Sequence, residues 1–224
     1  MHASPQSSIG QKALMAATGL ILLAFVISHL LGNLLVFAGP EALNAYALKL
    51  RHMAPLLWLA RALLLLAVVV HLWTSIRLSR QNRLARPVGY RRFRPGETSL
   101  SARTMLLSGV LLLAYLVYHL LQFTFHTTDP ALAHLTDPLG NHDVYAMVIT
   151  AFRNPWISCI YVVGMAALCA HLSHGFDSSF QSLGVNNERL LPLLQRVGQA
   201  LSLAIFMGYS SIPVAVLLGI VKLR

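Results

Sequence analysis

Charge is what this sequence has least of. Lys, Arg, Asp and Glu make up 11% of its 224 residues, against 56% that are hydrophobic, whereas a soluble globular domain carries about 25% charged residues. That deficit excludes an ordinary water-soluble fold. Acid is scarcer still: 7 Asp and Glu stand against 17 Lys and Arg, a formal net charge of +10. Such a balance does not imply nucleic acid here. Eight of the 17 basic residues (Arg77, Arg80, Arg83, Arg86, Arg91, Arg92, Arg94, Arg103) fall between two apolar runs, where orientation in a membrane accounts for them. Cysteine is nearly missing as well. Cys159 and Cys169 share one apolar run, cannot build a disulfide framework and read as small packing residues. Residues 1–11 lack the positive cluster of a cleavable signal peptide, and the apolar run after them is too long for a signal core, so it is kept as a span.

What the sequence has in abundance is long apolar runs, uncharged but for Arg61 in the second. There are five, far longer than the roughly 10 residues of a barrel strand, and hydrocarbon tolerates only backbone that is paired within itself. They predict an all-α integral membrane protein, one domain over residues 1–224, with spans near 12–38, 55–77, 104–126, 155–180 and 197–221. Met1–Ser7 reads as a short surface tail and helix begins at Ser8. Gly39-Pro40 closes the first span, and Glu41 to His52 has the spacing of a brief amphipathic helix lying at the interface. Pro55 and Pro155 open the second and fourth spans. Pro87, Gly89, Pro95 and Gly96 divide the basic loop into turns, Asp143 to Phe152 reads as a surface helix, Gly184 to Asn187 as a turn, and Pro213 as a kink in the fifth span. The arginine-rich loop predicts a cytoplasmic location for itself and for the N-terminus.

Four of the five spans carry a histidine away from their ends: His29, His71, His119 and His171, with His174 beside the last. Ionisable side chains at membrane depth are expensive and mark sites that bind or relay something. Counting rise along the helices sorts them by depth. His29 and His119 lie about 25 Å in from the basic side, whereas His71 and His171, each 16 residues past Pro55 or Pro155, lie about 24 Å in from the other. Two level pairs result, with about 15 Å of depth between them. Opposed neutral imidazoles inside a helical bundle are the ligand set of a six-coordinate haem iron, so the expected cofactors are two b haems. Zinc wants three or four clustered ligands, a proton relay gives no reason for two matched layers, and a backbone hydrogen bond explains any single histidine better than all four. His171 and His174 share a face and either could meet His71, with His171 the closer match in depth. His2 and His134 read as solvated loop residues; His52, His126 and His142 lie near the outer interface, where they could line a ligand or proton entry, surface residence being the simpler reading. Asn33 and Ser75 could fix ring orientation or bond the backbone. Arg61, six residues past Pro55, admits two readings: it snorkels to the interface, or it pairs with an anionic cofactor group such as a haem propionate. The fifth span has no histidine and reads as scaffold.

Several stretches carry a resemblance: Ser8-Ile9-Gly10 with Met15-Ala16-Ala17-Thr18-Gly19, His29-Leu30-Leu31-Gly32-Asn33 and Glu41-Ala42-Leu43-Asn44-Ala45-Tyr46. Further along come Ala85-Arg86-Pro87-Val88-Gly89-Tyr90, Ser101-Ala102-Arg103-Thr104-Met105, and His171-Leu172-Ser173-His174-Gly175-Phe176 running into Phe180-Gln181-Ser182-Leu183-Gly184. Over about residues 8–220 the chain resembles the membrane cytochrome b subunit of succinate dehydrogenase and fumarate reductase, in its single-subunit, five-helix, two-haem form.

The resemblance implies an inner-membrane anchor for a flavoprotein and an iron–sulfur subunit on the cytoplasmic side. Its two b haems exchange electrons with menaquinone or another quinone, and a higher-order oligomer of the complex is conceivable. It implies no chemistry by this chain on succinate or fumarate. It matches His29 and His119 to the outer haem, and His71 with the fourth-span histidine to the inner one; some relatives keep a histidine at the position of His171 and not of His174. Some fumarate reductases carry a membrane-embedded glutamate near that histidine, whereas here no carboxylate follows until Asp177. The alternative expectation is the di-haem anchor of another respiratory complex, such as a hydrogenase or formate dehydrogenase. A haem-free transporter or assembly protein is the rival of a different class.

Overall fold

The computed structural model describes residues 8–85, 104–185 and 187–223. Among them are seven α-helices: α1 (Ser8–Asn33), α2 (Pro40–His52), α3 (Ala54–Leu84), α4 (Met105–Phe123), α5 (Val144–Phe152), α6 (Pro155–Ser182) and α7 (Leu190–Leu217). A 3₁₀ turn, Leu34–Ala38, extends α1, and another, Pro130–His134, precedes α5. No strand occurs among the described residues beyond one isolated bridge, Thr136 to His142. Five helices (α1 with its extension, α3, α4, α6 and α7) are long and apolar enough to cross a membrane. The chain is an all-α, multi-pass membrane protein.

The spans alternate in direction, so the bundle has two unlike ends. One end gathers Arg77, Arg80 and Arg83 of α3 with Arg189 and Arg196 at the start of α7; it is called the basic end here. The other is covered by α2, the 3₁₀ turn Pro130–His134 and α5, and is called the capped end.

Several boundaries differ from expectation for visible reasons. Arg77, Arg80 and Arg83 belong to α3 rather than to a loop, because arginine is a good helix former and no breaker occurs before Pro87. The turns expected at Pro87, Gly89, Pro95 and Gly96, and the tail Met1–Ser7, lie outside the described residues. The fifth span sits earlier than 197–221. Asn187 Oδ1 accepts from the amides of Arg189 and Leu190 to start α7, and Gly219, at φ 70°, turns Ile220 and Val221 back onto the Ala215 carbonyl to end it.

The helix expected on the surface before Pro155 is not on the surface. Tyr145, Met147, Val148, Ile149, Ala151 and Phe152 of α5 are all buried. With Thr150 its one exposed side chain, this helix can only be stable when packed on nearly every side. Asp143 caps it by accepting from Ala146 N, and Asn44 on α2 clamps it, donating to Asp143 Oδ1 while accepting from Tyr145 N. Among the described residues the larger apolar cluster forms around it, joining Val36, Leu43, Leu132, Ile149, Tyr161 and Ile212.

Within the bundle α1 packs on α3, α6 and α7, and α6 also packs on α4 and α7. By contrast, α1 and α4 make next to no backbone contact, and neither do α3 and α6. These are the helix pairs across which the histidines meet.

Candidate functional site: two facing histidine pairs

Toward the capped end, the rings of His29 (α1) and His119 (α4) face one another with centroids 6.0 Å apart and planes at 80°. Aromatic side chains hold both. Phe25 stacks on His29 at 5.3 Å, and Tyr209 of α7 lies 6.2 Å from it, anchored by a 2.8 Å hydrogen bond to the Val26 carbonyl. Tyr115 stacks on His119 at 6.1 Å, Phe123 meets it edge-on, and the Tyr161 hydroxyl lies 3.2 Å from its Nδ1. Gly164 makes the stacking possible, since a Cβ there would overlap the Tyr115 ring.

Toward the basic end, His71 (α3) faces His171 (α6) at 6.4 Å and 65°. Here hydrogen bonds do the holding. His71 Nδ1 lies 3.2 Å from the Met15 carbonyl and 3.2 Å from Thr18 Oγ1 on α1. His171 Nδ1 lies 3.2 Å from Ser108 Oγ on α4, whose hydroxyl donates to the Met105 carbonyl. A carbonyl accepts, and so does a hydroxyl whose proton is already given to one, so Nδ1 carries the proton in both rings and Nε2 keeps its lone pair for a ligand role. Gly19 lets the His71 ring lie close against α1, since a Cβ there would come 3.3 Å from His71 Cε1; one on Gly109 would stand at an ordinary 3.5 Å from His171 Cε1.

The structure separates the other candidates. His171 is the ring that meets His71; His174 Nε2 instead shares a 3.1 Å hydrogen bond with Ser178 Oγ. Asn33 and Ser75 bond the main-chain carbonyls of His29 and His71, both at 2.7 Å, rather than the rings. Arg61 is exposed on α3 with its guanidinium 4.9 Å over the Trp58 ring, the position of a side chain reaching along the helix surface. Asp177 is buried near the basic end of α6, where Gln181 Nε2 donates to its Oδ2 and its Oδ1 has no hydrogen-bond partner. His126 and His142, expected near the outer interface, lie together with ring centroids 5.7 Å apart.

Sequence reasoning missed the supporting residues, although a signal for them exists. Met15, Thr18, Gly19, Phe25 and His29 of α1 recur as Met105, Ser108, Gly109, Tyr115 and His119 of α4, each ninety residues later. Pro55 and His71 of α3 recur as Pro155 and His171 of α6, a hundred residues later. In the structure the correspondence is one of role. Met15, Thr18 and Gly19 back His71 while Met105, Ser108 and Gly109 back His171, and Phe25 stacks on His29 as Tyr115 does on His119. Helices α1 and α4 thus each offer an imidazole to one layer and a cradle to the other.

This chain matches no family model, no curated protein and no solved structure with which it was compared. The site's chemistry therefore rests on its own geometry. An ion bonded to one nitrogen of each of two facing imidazoles, at metal–nitrogen distances of about 2 Å, sets ring centroids about 6 Å apart. Both pairs have that spacing, 6.0 and 6.4 Å. Among the described residues no group of three or more His, Cys, Asp or Glu could hold a metal ion, so any ion taken by a pair has two protein ligands. Paired imidazoles, apolar surroundings and helices held apart across each pair would suit a metal carried in a flat macrocycle, held by His29 and His119 in one layer and by His71 and His171 in the other.

Proposed function

We propose that this chain is the membrane anchor and di-haem cytochrome b subunit of a succinate:quinone oxidoreductase, passing electrons between an iron–sulfur subunit and a membrane quinone. The observation that carries the reading is the stacking of two imidazole pairs, both at metal-bridging spacing, at two depths of one bundle. The sequence resemblance supplies the complex. A b-type haem held by each pair provides a one-electron carrier, and two of them provide a path across the membrane.

The chain's own residues would do the following. His29 and His119 hold the haem nearer the capped end, and His71 and His171 the haem nearer the basic end. Thr18, Ser108 and the Met15 and Met105 carbonyls fix the tautomers of the inner rings, and Tyr161 does the same for His119. Leu, Val and Ala side chains keep water away from the ring faces. The basic end faces the cytoplasm of a cell whose inner membrane holds the complex, and there it receives the flavoprotein and iron–sulfur subunits. Lipid covers the exposed leucines of α3.

The test is a reduced-minus-oxidised absorption spectrum and a haem count on the purified native complex, together with identification of its co-purifying subunits. Two haems per chain with sharp bis-histidine bands, beside a flavoprotein, are expected. A haem-free chain refutes the cytochrome reading. Two haems beside a nickel or molybdenum enzyme would instead assign the chain to a hydrogenase or formate dehydrogenase.

A further inference from the structure

A third pair of imidazoles lies outside the two layers, at the capped end. His126 follows the last turn of α4 and His142 immediately precedes Asp143, the cap of α5; their centroids are 5.7 Å apart at 74°. The spacing resembles that of the two pairs within the bundle, but the setting is different.

His126 occupies a backbone position that favours glycine. The amide of Thr127 returns to the Leu121 carbonyl and that of Phe125 to Leu120, which closes α4 with His126 in the left-handed region at φ 54°. It is the single non-glycine residue with positive φ among those described. Glycine would hold this conformation at lower conformational cost, so the histidine is not explained by the turn. Its Nε2 is buried and has no hydrogen-bond partner. His142, by contrast, is held by a tight hairpin. Asp137 Oδ1 accepts from Leu139 N and Asn141 N, Asp143 N donates to the Leu135 carbonyl, and the His142 ring also bonds Leu135. That carbonyl can only accept, so one ring nitrogen of His142 donates and the other keeps its lone pair.

We propose that His126 and His142 are the two protein ligands of a divalent transition-metal site, for Zn²⁺ or Cu²⁺, with water completing the coordination. Borderline ions of this kind take neutral imidazole readily, and an open shell is normal where the protein supplies fewer than four ligands. Bound metal gives the orphaned Nε2 a partner and ties the end of α4 to the loop in front of α5. Around the pair, Arg51 and Asp143 carry opposite charges that act on His142.

The site does not depend on the haem reading, because none of its ligands belongs to the two bundle pairs. The experiment is equilibrium dialysis of the full chain in its native complex against Zn²⁺ at neutral pH, with zinc counted per chain by elemental analysis. Wild type and the exposed-residue variant His52→Ala should bind one zinc that H126G and H142Q each lose, their affinity falling at least about tenfold, or about 1.4 kcal/mol. Zinc should raise the thermal midpoint of wild type but not of H126G. Because glycine suits φ 54°, H126G should fold at least as stably as wild type without metal, which separates loss of ligand from loss of structure. Zinc stoichiometry and affinity unchanged in both H126G and H142Q, or no zinc on wild type, would overturn the proposal.

Discussion

The two histidine layers use the same ligand and hold it by different means. Near the basic end, His71 and His171 are fixed by a carbonyl and hydroxyls on neighbouring helices, with Gly19 giving His71 room. Near the capped end, His29 and His119 are wedged among Phe25, Tyr115, Phe123 and Tyr209, with one phenol hydroxyl on His119. Polar contacts fix a proton's position and so tune a ligand's electron donation, whereas aromatic packing fixes shape and excludes water. A pair of layers built this way would not be equivalent carriers, although their ligands are identical. The basic-end layer is the more symmetric of the two, because α1 and α4 back its rings with matching Met-x-x-Ser/Thr-Gly segments.

The largest effect that can break this comparison is loss of a ligand. With a haem in each layer, as proposed, His29→Ala and His71→Ala should each remove one haem of two and leave the other spectrally intact. Retention of both haems in either variant would end the account. Next comes packing that belongs to one layer only. Gly164→Ala forces the Tyr115 ring off His119 and should cost about 1–3 kcal/mol, read as a lower thermal midpoint with the capped-end haem disturbed first. Gly175→Ala, where a Cβ would meet Met105 Cε at an ordinary 3.7 Å, is the comparison and should be nearly neutral. The smallest effects sharpen the contrast. With His119 Nε2 on iron, as proposed, Nδ1 donates to the Tyr161 hydroxyl; Tyr161→Phe removes that acceptor, and a hydrogen bond worth about 1 kcal/mol corresponds to about 40 mV for one electron, so the capped-end potential should rise by that order. Thr18→Val should raise only the basic-end potential, and by less, because the Met15 carbonyl still accepts from His71. Redox titration of both haems in each variant checks the pair. A shift in the wrong layer would show that the supporting contacts do not act locally.

Composition and period were enough to determine that this chain crosses a membrane five times as helices, because a run of twenty uncharged residues has no other stable way to pair its backbone in lipid. Rise per residue was enough to rank the histidines by depth, since depth along a straight helix depends on sequence distance alone. The ninety-residue recurrence of Met15, Thr18, Gly19, Phe25 and His29 stands in the sequence too, but only their contacts in the structure give those residues the role of cradles. Lateral arrangement was not legible. Which helices stand side by side follows from packing among residues far apart in the chain, so only the tertiary structure decided that His171 rather than His174 meets His71 and that Arg61 lies over Trp58. The same holds for α5, whose uncharged sequence suits either a membrane surface or a buried plug. Its clamp to Asn44, about a hundred residues earlier, made it a plug, and a contact over that separation leaves no local trace in the sequence.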